Sequence, residues 1–109
     1  MCGIAGIFHN SSSEKYQEVL SRMVKSISHR GPDSNGFYFS NCISLGHSRL
    51  SILDLSSAGN QPMTFENLTI TLNGEVYNFK EIRKILENNN YTFKSYWHDY
   101  FVNFIKIKK

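Results

Sequence analysis

The sequence predicts an α+β domain in which helices cover one face of a mostly antiparallel sheet. Three observations carry that prediction. Apolar residues between Tyr16 and Ile27 recur at three and four positions, the period of a helix with one buried stripe. Residues 67–73 alternate apolar and polar, the period of a half-buried strand. Turn-forming residues set off several more short apolar runs, with no internal repeat and no linker dividing the chain. The 109 residues, 40% hydrophobic and 19% charged, make one domain or part of one and argue against general disorder.

The elements follow in order. Ile4 to Phe8 is a short apolar run containing Gly6, which reads as a buried strand with another backbone close to it. Ser11-Ser12-Ser13-Glu14 is a capping box, and Tyr16, Val19, Leu20, Met23, Val24 and Ile27 then place one face of a helix over 13–28 on a core. Gly31 and Pro32 stop it and begin a loop. Phe37 to Phe39 and Ile43 to His47, joined by Ser40-Asn41-Cys42, predict a hairpin in which Gly46 is a candidate bulge. Leu50 to Leu55 alternates weakly and gives way to a polar loop through Pro62. The strand over 67–73 puts Leu68, Ile70 and Leu72 on one face. Asn78 with Glu81 three residues later caps a second helix, which carries Phe79, Ile82, Ile85 and Leu86 inward until Asn88-Asn89-Asn90.

Charge excludes little by itself. Of the 12 basic and 9 acidic residues, residues 1–93 hold eight of each, so the net +3 sits in the lysine-rich end, and a nucleic-acid surface is not expected. Cys2 and Cys42 fit a reducing compartment better than a disulfide scaffold. His9, His29, His47 and His98 are too scattered for a metal site, so no metal is expected. With no long apolar run and no basic-then-apolar start, neither a membrane span nor a secretory signal is expected, leaving the cytoplasm as the expected location.

Cys2 is the first candidate for chemistry. If Met1 is removed, as the small residue behind it favours, Cys2 carries both a thiol and a free α-amine. Such an amine titrates near neutrality and can take the thiol's proton or return one to a leaving amine. Asn73-Gly74 has two local readings: a tight hairpin turn, or a rigid pair of N–H donors for a developing oxyanion. Arg49 lies among apolar positions, where burial makes an unpaired charge costly and suits it to hold an anion.

Five stretches, Met1-Cys2-Gly3-Ile4-Ala5-Gly6, His29-Arg30-Gly31-Pro32-Asp33, His47-Ser48-Arg49-Leu50-Ser51-Ile52, Gln61-Pro62-Met63 and Asn73-Gly74-Glu75-Val76-Tyr77-Asn78, resemble in order the glutaminase domain of glutamine-dependent asparagine synthetases. The resemblance covers residues 1–95, a partial class II glutamine amidotransferase domain, and implies an incomplete N-terminal nucleophile fold, a sheet-and-helix sandwich. It implies glutamine as substrate and hydrolysis to glutamate and ammonia, the glutaminase part of asparagine synthesis from aspartate. By the resemblance Cys2 is the nucleophile, Asn73 and Gly74 form the oxyanion hole, Arg49 holds the substrate α-carboxylate and Glu75 the α-ammonium, and Arg30 and Asp33 belong to structure near the site. No cofactor is implied for this chain; ATP and magnesium would belong to a synthetase domain that has no counterpart in it. Residues 96–109 depart from the family pattern: Asp99 sits one position too late for the aspartate that helps hold the ammonium, and the remaining strands of the domain are missing. Two readings therefore stand: a glutaminase half-domain whose missing strands come from a separate synthetase chain, or a non-catalytic remnant or binding fragment of an interrupted gene. The tail itself reads as unselected sequence or as a lysine-protected edge strand.

Overall fold

The computed structural model describes residues 1–52 and 55–93, so the tail, Asp99 included, lies outside the described residues. The predicted α+β class is what the chain forms. Strands β1 (Gly3–Phe8), β2 (Ser34–Phe39) and β3 (Ile43–Arg49) make an antiparallel sheet in the order β1-β3-β2. Helix α1 (Gln17–Ser26) lies between β1 and β2 in the chain, β4 (Met63–Phe65) and β5 (Leu68–Ile70) form a separate antiparallel ribbon, and helix α2 (Phe79–Asn88) follows.

The register shows why α1 packs where it does. Ala5 pairs with Gly46 and Gly46 with Phe37, so these residues share one face of the sheet. Leu20 and Val24, 0% and 1% exposed, press on that face. A Cβ at Gly46 would overlap the Val24 side chain, so Gly46 is there to let the helix approach, and the ladder runs through it without the expected bulge. His9 supports the same face from beyond β1. Its Nδ1–H donates to the Ser11 carbonyl at 2.8 Å, its Nε2 accepts from the Ser44 hydroxyl at 2.9 Å in the neutral ring, and it stacks on Tyr16.

β1 is not the buried strand that its composition suggested. Ile4 is 49% and Phe8 85% exposed, because β1 is an edge of the sheet and these side chains point away from α1. Nor does a foreign backbone approach Gly6, which is exposed and meets only Leu45 and Ser44 of its own partner strand. The close backbone approach falls at Gly36, where a Cβ would overlap the carbonyl of Gln61. The loop carrying Gln61 therefore lies directly on β2, on the face opposite α1.

The helices begin differently from expectation. The span 13–28 divides into a 3₁₀ turn (Ser13–Tyr16), α1 and a second 3₁₀ turn (Ser28–Arg30). The capping box does not form: Ser12 at the start makes no side-chain cap, and the Ser11 hydroxyl donates to the Tyr16 hydroxyl instead. Val19 stays 39% exposed at the rim of the buried stripe. Asn78 likewise makes no side-chain cap for α2. At the other end Asn90 takes a left-handed conformation (φ 63°), with its N–H on the Glu87 carbonyl and that of Tyr91 on the Leu86 carbonyl. This is a Schellman ending, for which asparagine is the usual substitute for glycine. Phe79, Ile82 and Leu86 of α2 are buried against Val76, Tyr91 and Phe93, whereas Ile85, expected inward, is 49% exposed on the helix flank.

The strand expected over 67–73 is shorter, and its partner β4 was not foreseen. The turn between them places Glu66 at φ 51°, a conformation that the sequence does not advertise with glycine or asparagine. Asn73-Gly74 is not a hairpin turn. Neither residue has positive φ, which the favoured two-residue hairpin turns require, and both follow the end of β5 in an irregular segment leading to α2.

Candidate active site

A cavity of about 360 Å³ opens between two segments of chain: Arg49–Ile52 at the end of β3, beside Met1 and Cys2, and Leu72–Tyr77 ahead of α2. That volume is in the range of small-molecule sites. Cys2, Arg49, Asn73, Gly74 and Glu75 all line it, so residues up to 73 positions apart in the chain meet at one site. Asp99 falls outside the described residues.

The sheet register places the first two. Gly3 pairs with Ser48, so Cys2, just before β1, stands at the same end of the sheet as Arg49. The Leu50 N–H donates to Cys2 Sγ at 3.3 Å, and the thiol lies 3.7 Å from the Leu50 carbonyl. An N–H aimed at sulfur is a donor that a thiolate uses. Arg30 Nε donates to the Cys2 carbonyl at 3.2 Å, and Met1, ahead of it, is 73% exposed. Asp33 accepts the Ser51 N–H at 2.6 Å, and its own N–H donates to the Arg49 carbonyl at 3.0 Å. Arg30 and Asp33 thus brace the backbone on either side of the cavity wall.

Arg49 is 6% exposed, as its apolar neighbours suggested. Its Nη1 donates to the Ser56 carbonyl at 2.7 Å and to Asn60 Oδ1 at 2.8 Å. The guanidinium is therefore held in place rather than left to find its position, the arrangement that lets a planar fork recognise a carboxylate. Glu75 is exposed at the cavity mouth, and Tyr77 beside it is 89% exposed.

Three contributors were missed in the sequence. Leu50 acts through its backbone, which no residue type can signal. Asn60 sits in a loop that read only as polar. Gln61 is 4% exposed and holds both backbone polar groups of Leu72: Nε2 donates to the Leu72 carbonyl at 3.2 Å, and the Leu72 N–H donates to Oε1 at 2.5 Å. No local signal marks Gln61 in the sequence, because its burial comes only from the fold, and that burial is what demands that its amide be satisfied.

Similarity to known proteins shows the family. Residues 1–98 match the model of the glutamine amidotransferase domain. The chain belongs to that family. It is 39% identical over 100 residues to asparagine synthetase [glutamine-hydrolyzing] 1 of Bacillus subtilis, covering 87% of this chain and 16% of that protein. It is 38% identical over 104 residues to putative asparagine synthetase [glutamine-hydrolyzing] 2 of Methanocaldococcus jannaschii, covering 77% and 20%. Over 94 residues it is 38% identical to asparagine synthetase [glutamine-hydrolyzing] 1 of Arabidopsis thaliana, covering 84% and 16%. The chain thus spans a fifth or less of the length of these relatives. Among the described residues no helix is long and apolar enough to cross a membrane.

Proposed function

We propose that this glutamine amidotransferase domain hydrolyses glutamine to glutamate and ammonia through Cys2, as the glutaminase part of asparagine synthesis. The observation that carries the reading is the single cavity that gathers Cys2, Arg49, Asn73, Gly74 and Glu75. Removal of the exposed Met1 frees the α-amine of Cys2 at the cavity wall. That amine takes the thiol proton, and the thiolate attacks the side-chain carbonyl carbon of glutamine. Asn73 through its side-chain amide and Gly74 through its backbone N–H receive the negative oxygen of the tetrahedral intermediate. The α-ammonium returns the proton to the leaving nitrogen, the C–N bond breaks, and ammonia departs from a thioester. Water then adds to the thioester carbonyl, releasing glutamate and restoring the thiol.

Arg49 grips the α-carboxylate and Glu75 the α-ammonium, which fixes the carboxamide over the sulfur. The hydrolysis needs no metal or cofactor. The synthesis that consumes the ammonia, with its ATP and magnesium, belongs to a domain outside these residues, and the strands that complete an N-terminal nucleophile sandwich lie outside them as well. The exposed apolar side chains Ile4 and Phe8 of the edge strand β1 are surface that such strands would cover.

The test is ammonia release from glutamine by the purified chain, alone and with a fragment of a relative carrying the missing strands and synthetase domain. We expect trace release alone and a clear rise with the fragment. Complete absence of release in both arms, with the complex formed, refutes the proposal in favour of a non-catalytic fragment.

A further inference from the structure

The cavity has two walls with separate tasks under the proposed function, and one dipeptide reaches both. Asn60 Oδ1 receives Arg49 Nη1 at 2.8 Å and the Ser34 hydroxyl at 3.1 Å. Gln61, next in sequence, closes two hydrogen bonds on the backbone N–H and C=O of Leu72, immediately before Asn73 and Gly74. The dipeptide is itself anchored: its backbone rests on Gly36 of β2, with no space there for even a methyl group, and Asn60 is tied to Ser34 on the same strand. An amide side chain that donates to the C=O and accepts from the N–H of one residue acts as a neighbouring strand would, in a segment that is not in the sheet. It fixes the two peptide groups that flank Leu72, the second of which carries the Asn73 N–H, and so sets how the Asn73-Gly74 segment enters the cavity.

We infer that Asn60-Gln61 is a positioning bracket that sets the distance and orientation of the substrate clamp at Arg49 relative to the oxyanion donors at Asn73-Gly74. This inference rests on the glutaminase reading of the site. Gln61 itself lines the cavity, and in this inference both residues act through the groups that they hold. The two halves of the bracket are separable, and this makes the inference testable. Loss of the Gln61 amide should loosen the oxyanion segment and slow acylation at saturating substrate. Loss of the Asn60 amide should loosen Arg49 and weaken capture while leaving the saturated rate nearly intact. A role only in holding the fold would move both constants together.

The probe is a glutamine analogue with a chloroketone in place of the carboxamide, which reports a half-saturating concentration and a limiting rate of Cys2 labelling. Amide hydrogen exchange is followed at Leu72, Asn73 and Gly74 in the same samples of full-length chain. For Gln61→Met, faster exchange at Leu72 is expected, with a limiting rate at least about tenfold lower and a half-saturating concentration within about threefold of wild type. For Asn60→Ala the converse is expected: a half-saturating concentration raised about tenfold and a limiting rate within about threefold. Unchanged Leu72 exchange in Gln61→Met overturns the bracket whatever the chemistry does, and so do equal changes in both constants in both variants. Should Gln61→Met not fold, Gln61→Glu keeps the acceptor for the Leu72 N–H and loses the donor to its carbonyl, and an unaltered limiting rate there overturns the inference. A wild-type chain whose Cys2 does not react with the analogue even in complex with the fragment that carries the missing strands refutes the glutaminase reading, and with it the catalytic role of the bracket; exchange at Leu72 still decides separately whether Gln61 holds that backbone.

Discussion

Replacing Arg49 with lysine keeps the charge and removes the fork. In the wild-type chain Nη1 donates at 2.7 Å to Ser56 and at 2.8 Å to Asn60 from a side chain that is 6% exposed. An ammonium on a shorter stem satisfies one of these acceptors at best while still turned toward substrate. The loss of one charge-assisted hydrogen bond is worth about 2 kcal/mol. For a domain of this size that lowers the melting temperature by roughly 8 to 16 °C. Capture of glutamine should suffer separately. A bidentate carboxylate contact becomes a single one, and the concentration of glutamine that protects Cys2 from labelling should rise about 10- to 100-fold, or about 1.4 to 2.8 kcal/mol. The assay measures glutamine protection below the melting transition of each variant, with iodoacetamide as a probe that has no carboxylate for Arg49 to hold. Its rate with Cys2 should change little. A lysine variant with a lowered melting temperature but unchanged protection would show that Arg49 supports the loop around Ser56 and Asn60 and does not bind substrate.

Other perturbations separate chemistry from folding. Asn73→Ala should slow chloroketone labelling by about 10²- to 10³-fold at saturation with little change in half-saturating concentration, since an oxyanion donor acts in the transition state. Leu20→Ala, at a site with no exposure beneath α1, should destabilise the chain by about 2 to 5 kcal/mol, read from chemical denaturation; a cost below 1 kcal/mol would mean that the helix is not seated on Gly46 as described. Substituting residues 96–109 with an ending that restores the aspartate and the missing strands should increase both solubility and turnover, because Phe101 to Ile107 is an apolar, β-prone segment. A soluble, cooperatively unfolding wild-type chain with enzyme-like turnover would count against that account of the tail.

How much of this was legible in the sequence depended on whether the signal was a period or a partner. Periodicity placed α1 and α2, because burial of one face leaves a repeating pattern, and short β-prone runs on either side of turn residues placed the hairpin of β2 and β3. It misread β1, since Ile4 and Phe8 are as apolar as any core strand and yet lie uncovered at the sheet edge. Cap residues were present without forming caps: Ser11 found Tyr16, and neither Ser12 nor Asn78 made the bond that its type allows. At the site, side chains of distinctive chemistry were legible. Cys2, Arg49, Asn73, Gly74 and Glu75 were all expected together, and they line one cavity. What was not legible was the scaffold that holds them. The Leu50 N–H belongs to the backbone, and the amides of Asn60 and Gln61 acquire their roles only when β2, β3 and the segment after β5 are brought together. The Asn73-Gly74 pair shows the same limit in reverse, because its local preference for a turn is overridden by that tertiary placement.

The central claim is that Cys2, and not merely a cysteine, is the nucleophile of a glutamine site. The chain carries its own control in Cys42, which is exposed and free at the far end of the sheet, whereas Cys2 is half-buried in the cavity. Mass mapping after brief treatment with the chloroketone analogue, with and without excess glutamine and with or without one extra residue left ahead of Cys2, measures the claim directly. The account predicts adduct on Cys2 in preference to Cys42, suppressed by glutamine and by the added residue. Equal labelling of both cysteines in the folded chain, indifferent to glutamine and to the added residue, would contradict it.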